Sequence, residues 1–147
     1  MRRSKTVTQI FLLDTNVFIS SIKDPRRQTG TLDLILHIIG ESDIGLVGND
    51  MLVGEMVRYA ELLGSETAAT LLYALIAKME IIDVQENLLR ICKSYIESPN
   101  KADILHAATC LQTNAVLISI DNHFNRIRDE GIIKVWSATE AINKLLE

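Results

Sequence analysis

Four carboxylates define the chemistry open to this chain. Asp14 closes the apolar run Ile10-Phe11-Leu12-Leu13, and Asp121 closes the apolar run Ala115 to Ile120, AVLISI. Asp103 lies three residues after Asn100, at the start of the helix-forming stretch ADILHAATCLQ, and Glu55 stands one to two turns inside an earlier helix. Acids brought together raise one another's pKa values and resist joint ionisation. A divalent cation relieves that repulsion, and an all-oxygen ligand set favours Mg²⁺ or Mn²⁺ over zinc. Such an ion activates water and stabilises charge on phosphoryl oxygens, so the expected chemistry is metal-assisted hydrolysis of a phosphodiester.

The elements must bring these acids to one place. Ile10–Leu13 reads as a buried parallel strand, and ligands of open α/β folds bind beyond the carboxyl ends of such strands. Asn16–Ile22 is expected as a short helix, and Leu32, Ile35, Leu36 and Ile39 recur at helical spacing up to Gly40. Ile44–Val47 is a second strand, followed by a helix capped by Asn49 or Asp50 and running to Leu63. Gly64 breaks that helix and Ser65 starts another, through Lys78. The spacing predicts a third strand at Ile81–Val84 and an amphipathic helix from Glu86 to about Ile96. Asn100 caps the next helix, Ala115–Ile120 forms a strand, and a short polar helix covers about Asn122–Asp129. Ile132–Trp136 and a terminal helix from Ser137 complete an α/β pattern with a mostly parallel sheet. From Asp103 the helix descends about ten residues at ~1.5 Å each, and the strand climbs back over six at ~3.3 Å. Asp103 and Asp121 therefore return to one edge, the edge that carries Asp14, and Glu55 lies near it.

Composition bounds the rest. The 147 residues, 48% hydrophobic and 23% charged, suit one compact domain with a real core. The longest apolar stretch, around Ala68 to Ala77, is far short of a membrane span, and the basic residues 1–9 form a short extension without the apolar run of a signal peptide. Cys92 and Cys110 form no CxxC pair, which fits a reducing cytoplasm. The net charge of -4 argues against coating nucleic acid by bulk electrostatics but not against a nuclease, whose clustered carboxylates lower the net charge.

The order LLDTNVF, an acid within a helix at Glu55, KADILHAATCL and then LISIDNHF resembles the PIN domain family of small metal-dependent ribonucleases, which includes the toxin halves of many prokaryotic toxin-antitoxin pairs. The resemblance runs from Ile10 to about Ala141 and implies a single domain over residues 1–147, built as a three-layer α/β/α sandwich. It implies that Asp14, Glu55, Asp103 and Asp121 are the acidic quartet holding Mg²⁺ or Mn²⁺, with Asn16 and Ser119 as auxiliary polar residues that support the metal or its water. It also implies an RNA substrate and, for a toxin, a small antitoxin that covers the acidic groove. Where many relatives carry another acid close behind the last Asp, this chain has Asn122 and His123.

Every acid also has a structural use: Asp14 and Asp121 as turn or cap residues, Asp103 as a partner of its helix dipole, and Glu55 as a solvated helix residue. Lys23, Arg26 and Arg27 form a charged loop that either grips phosphates flanking the cut or is simply solvated. His37 and His106 read as packed helix residues, and His123 as a residue near the site without a partner acid. Apolar helices such as Leu62–Ile76 offer surface for a homodimer or higher homo-oligomer. A phosphoaspartyl enzyme of the haloacid dehalogenase type would need a second Asp at Asn16. The remaining rival is a PIN-like module that acts in RNA processing or binds a protein or RNA partner without catalysis.

Overall fold

Phe11, Leu12 and Leu13 are fully buried in strand β1, Gln9–Leu13, as a strand covered by helices on both faces requires. The computed structural model describes residues 6–23, 30–96 and 100–147. Along them follow α1 (Thr15–Ile22), α2 (Gly30–Gly40), β2 (Ile44–Gly48), α3 (Asp50–Leu63), α4 (Glu66–Lys78), β3 (Met79–Ile81), α5 (Glu86–Lys93) and α6 (Lys101–Thr113). Then come β4 (Val116–Ile118), a 3₁₀ turn (Asn122–Phe124), α7 (Asn125–Asp129), β5 (Lys134–Trp136) and α8 (Ala138–Leu146). The five strands form one sheet in the order β3-β2-β1-β4-β5, with every pairing parallel.

That order reverses at β1. The chain first moves outward through β2 to β3, then crosses back to β4 and β5 on the other side. With right-handed crossovers the connecting helices must cover both faces. Accordingly α1, α2 and α8 pack together, while α6 packs on β1, β2 and β4 with α5 beside it. The point of reversal, between the carboxyl ends of β1 and β4, is where such a sheet opens a crevice for ligands.

Three strands and one helix are shorter than their sequence spacing predicts, each for a local reason. β3 lies at Met79–Ile81 rather than Ile81–Val84, and it ends at Ile81 because β2 ends at Gly48, the partner of Ile81. β4 spans three residues rather than six, since Ser119 and Ile120 turn toward the site. β5 starts at Lys134 because the Ile132 N–H is occupied by the Ile127 carbonyl at 3.2 Å. At the end of α5 the Ser94 and Tyr95 N–H groups bond three residues back, to Ile91 and Cys92, which tightens the chain out of the helix. At the other end of the chain, β1 takes in Gln9, the last residue of the expected extension, and the Thr8 N–H donates to the Asp43 carbonyl at 2.8 Å.

Helix boundaries follow the local chemistry. Asn49, Ser65, Asn100 and Ser137 accept backbone N–H groups as N-caps of α3, α4, α6 and α8. Gly64 ends α3 in the left-handed conformation, φ 59°, which a residue without a Cβ adopts at least cost. Both thiols are free and buried; burial pushes Cys92 up to about 11 and Cys110 higher still, so neither is a ready nucleophile. No helix among the described residues is long and apolar enough to cross a membrane.

Leu12, fully buried on the central strand and paired with Leu117 of β4, tests this core. Leu12→Ala is expected to cost about 2–5 kcal/mol through lost burial and a residual cavity. The check is a drop in the urea midpoint with an unchanged slope.

Candidate functional site

Asp14 is the residue at which β1 becomes α1. Its backbone N–H still follows the sheet, donating to the Ile118 carbonyl at 3.0 Å, while its side chain caps α1 by accepting the Thr15 N–H at 2.8 Å. On the neighbouring strand the Ser119 hydroxyl donates to Asp14 Oδ2 at 2.8 Å, and Asn16 Nδ2 lies 3.3 Å from the same oxygen. Asn16 is oriented by Ile120, whose N–H donates to its Oδ1 at 3.2 Å. Ser119 Oγ also accepts the Asp121 N–H at 3.0 Å. Asn16 and Ser119 thus bind the end of β1 to the end of β4.

Asp121 caps the 3₁₀ turn that follows, accepting the His123 N–H at 3.0 Å. The turn aims the His123 ring back across the site. Nδ1 lies 3.0 Å from Asp121 Oδ2 and 3.1 Å from Asp103 Oδ2, so one ring nitrogen bridges two carboxylates. Asp103 reaches this point from the first turn of α6. Burial raises Asp103 above the ordinary carboxylate range, and burial does the same for Asp14.

Glu55 approaches from α3. Its Oε1 accepts from His106 Nε2 at 2.9 Å and from the Thr15 hydroxyl at 3.2 Å. The hydrogen bond from His106 is the main reason that the Glu55 carboxyl is held below its ordinary value. Thr15 therefore ties two acids together, Asp14 through its N–H and Glu55 through its hydroxyl. All four acids belong to one hydrogen-bonded system that spans β1, β4, α3 and α6.

The structural uses anticipated for Asp14 and Asp121 are real, and they coincide with placement in this system: both residues cap a helical turn. His123 does have acid partners, contrary to expectation. His106, expected to be mere packing, is 1% exposed yet makes a polar contact with Glu55. The available signals were the two-residue spacing of Asp121 and His123, and the three-residue spacing that puts His106 one turn beyond Asp103. Thr15 had no signal, and Asn49 had none beyond its capping chemistry.

Lys23 is exposed at the C-terminal end of α1, with about 12 Å of helix between it and Asp14. Arg26 and Arg27 lie outside the described residues. Arg58 of α3 acts on Glu55 through its charge, and further basic side chains come from α5 and α6. Arg90, Lys93 and Lys101 line a groove of about 340 Å³ whose apolar lining includes Met51, Leu89 and Ile104. Lys101 and Ile104 flank Asp103 in sequence.

Residues 11–130 match the family described as PIN domain. Solved structures that share the fold include the following three. VapBC2 from Rickettsia felis, bound to a DNA fragment from its promoter, is 16% identical with a TM-score of 0.63, covering 88% of this chain and 98% of that one. VapBC-1 from nontypeable Haemophilus influenzae is 22% identical with a TM-score of 0.60, covering 89% and 99%. FitAcB from Neisseria gonorrhoeae is 20% identical with a TM-score of 0.59, covering 88% and 98%. Comparison with curated proteins finds no match.

The raised Asp103 carboxyl has a consequence for stability. An acid that holds its proton more tightly when folded destabilises the fold while ionised, and the cost is relieved as pH falls through the folded value toward the unfolded one. In EDTA, Asp103→Asn should therefore melt at a higher temperature than the parent at neutral pH, and the gap should close by about pH 4. Calorimetry across that range checks it; a variant that melts lower at neutral pH would contradict the assignment.

Proposed function

The chain belongs to the PIN domain family, and on that footing we propose that it is a cytoplasmic Mg²⁺- or Mn²⁺-dependent endoribonuclease, the toxin half of a toxin-antitoxin pair. The observation that carries the reading is the convergence of Asp103, Asp121 and His123. One ligand atom from each lies within 4.8 Å of the others, and Asp14 and Glu55 are tied to them through Ser119, Asn16 and Thr15. Carboxylate oxygens gathered this closely are donors that would hold a divalent cation. The donors are mainly carboxylate oxygens, the set that a hard divalent cation prefers. Two of the acids, Asp14 and Asp103, are 6% and 5% exposed, where ionisation without a counter-charge is costly.

Asp14, Glu55, Asp103 and Asp121 would hold the cation, which supplies charge neutralisation and Lewis acidity at a phosphodiester. The chain's own residues do the positioning. Ser119 and Asn16 fix the Asp14 carboxylate against rotation. Asp121 is anchored by its backbone to Ser119 and by its side chain to the following turn. His123, 47% exposed at its side chain, stands at the mouth of the site with an Nδ1 that can exchange a proton with Asp103 or Asp121.

An RNA strand crossing this edge would meet the groove beside α5 and α6. There Lys101, Arg90 and Lys93 offer phosphate contacts and Met51 and Leu89 offer apolar surface to sugars and bases. Lys23, at the far end of α1, would serve a more distant part of the strand. The toxin assignment follows the motif resemblance and the likeness to the VapBC and FitAcB structures, and it implies a small antitoxin that covers the groove. Homo-oligomerisation is supported by the exposed apolar side chains of α3 and α4: Leu62 and Tyr73, each 75% exposed, and Leu63 at 42%.

The test is cleavage of single-stranded and structured RNA by the purified chain in Mg²⁺, Mn²⁺ or EDTA, beside the double variant Asp14→Asn, Asp103→Asn. Cutting should require the metal and fall by at least about a hundredfold in the variant. A wild type that binds metal yet cuts no RNA would favour the non-catalytic binding module.

A further inference from the structure

Asn49 ends β2 and caps α3, accepting the Leu52 N–H on Oδ1 at 2.8 Å. That contact fixes which end of the amide is oxygen, so the Nδ2 group must face the other way. It points at two atoms of α6: His106 Nδ1 at 3.1 Å and Thr109 Oγ1 at 3.0 Å. The Thr109 hydroxyl spends its own proton on the Leu105 carbonyl at 2.7 Å, so it accepts from Asn49. His106 Nδ1 faces an amide N–H and must likewise accept. The ring therefore carries its proton on Nε2, which is 2.9 Å from Glu55 Oε1.

The Thr15 hydroxyl reaches that same oxygen at 3.2 Å. Both donors converge on Oε1, and among the described residues Oε2 accepts no hydrogen bond. One oxygen of Glu55 is clamped while the other is left available. All of Asn49, His106 and Thr109 are buried, at 2%, 1% and 0% exposure, so the clamp is held by packed side chains on rigid elements.

We propose that His106 is a positioning residue: Asn49 locks its ring in the Nε2–H tautomer, and the ring then holds Glu55 by Oε1 so that Oε2 is presented to the cation. This rests on the reading that Glu55 is a ligand of the site. The capping side chain of α3 thereby sets the orientation of an acid six residues further along the same helix, through a histidine of another helix.

Two measurements test it. In the metal-free wild type, a long-range ¹H–¹⁵N spectrum of the imidazoles should show the His106 ring protonated at Nε2 and bare at Nδ1. Protonation at Nδ1 alone would overturn the proposal without any variant having to fold. Mn²⁺ titration calorimetry then compares His106→Phe, which removes both ring contacts at similar volume, with His106→Gln, which returns one donor toward Glu55. The Phe variant should bind Mn²⁺ about tenfold more weakly or worse, and the Gln variant should recover most of that loss. Binding by a folded Phe variant within twofold of wild type would refute the positioning role alone. A wild type that binds no Mn²⁺, with the tautomer as stated, would refute the cation reading of the site instead.

Discussion

Negative charge gathered at one edge of a parallel sheet is the constraint on which the rest of the molecule depends. β1 and β4 lie side by side, each delivers an acid just past its carboxyl end, and α6 and α3 bring two more. Asp14 and Asp103 are almost wholly removed from water. Close carboxylates in such surroundings destabilise the fold unless donors, protons or a cation offset them. The polar residues at this edge all address that problem: Ser119 and Asn16 donate to Asp14, His123 bridges Asp103 and Asp121, and His106 and Thr15 donate to Glu55.

The same side chains also terminate the elements. Asp14 caps α1, Asp121 caps the 3₁₀ turn, and Asn49 caps α3 while holding His106. Capping and site-building are therefore one set of interactions. A helix that starts in the right place orients an acid, and an oriented acid starts the next helix. The sheet supplies the stiffness behind this, since a buried β1 flanked by parallel partners on both sides leaves Asp14 little freedom of position.

Much of this was legible in the chain. Apolar runs ending in acids located β1 and β4, and Asn49, Gly64, Ser65 and Asn100 marked helix boundaries that the structure keeps. The shift of β3 from Ile81–Val84 to Met79–Ile81 was hidden because strand limits depend on the length of the partner, which periodicity does not report. The convergence of Asp14, Asp103 and Asp121 followed from counting rises along one helix and one strand. His106 is packed as expected, but its polar contacts were hidden because an apolar helix face carries no sign of what lies across from it; Glu55 and Asn49 arrive from a segment more than fifty residues earlier. His123 was undervalued because only the 3₁₀ turn folds its ring back over Asp103. Conversely, Lys23 looked close to Asp14 in sequence, but a helix separates them.

The central claim is that this acidic edge is completed by a divalent cation, and the most direct measurement is the melting temperature of the chain as Mn²⁺ is raised from an EDTA baseline. An ion that binds the assembled acids and not the unfolded chain stabilises by mass action, so the melting temperature should climb steadily with the logarithm of Mn²⁺ concentration once the site begins to fill. Asp121→Asn should flatten that climb. A wild-type melting temperature indifferent to Mn²⁺ and Mg²⁺ across the millimolar range would contradict the account and leave the four acids as a self-contained hydrogen-bonded cluster.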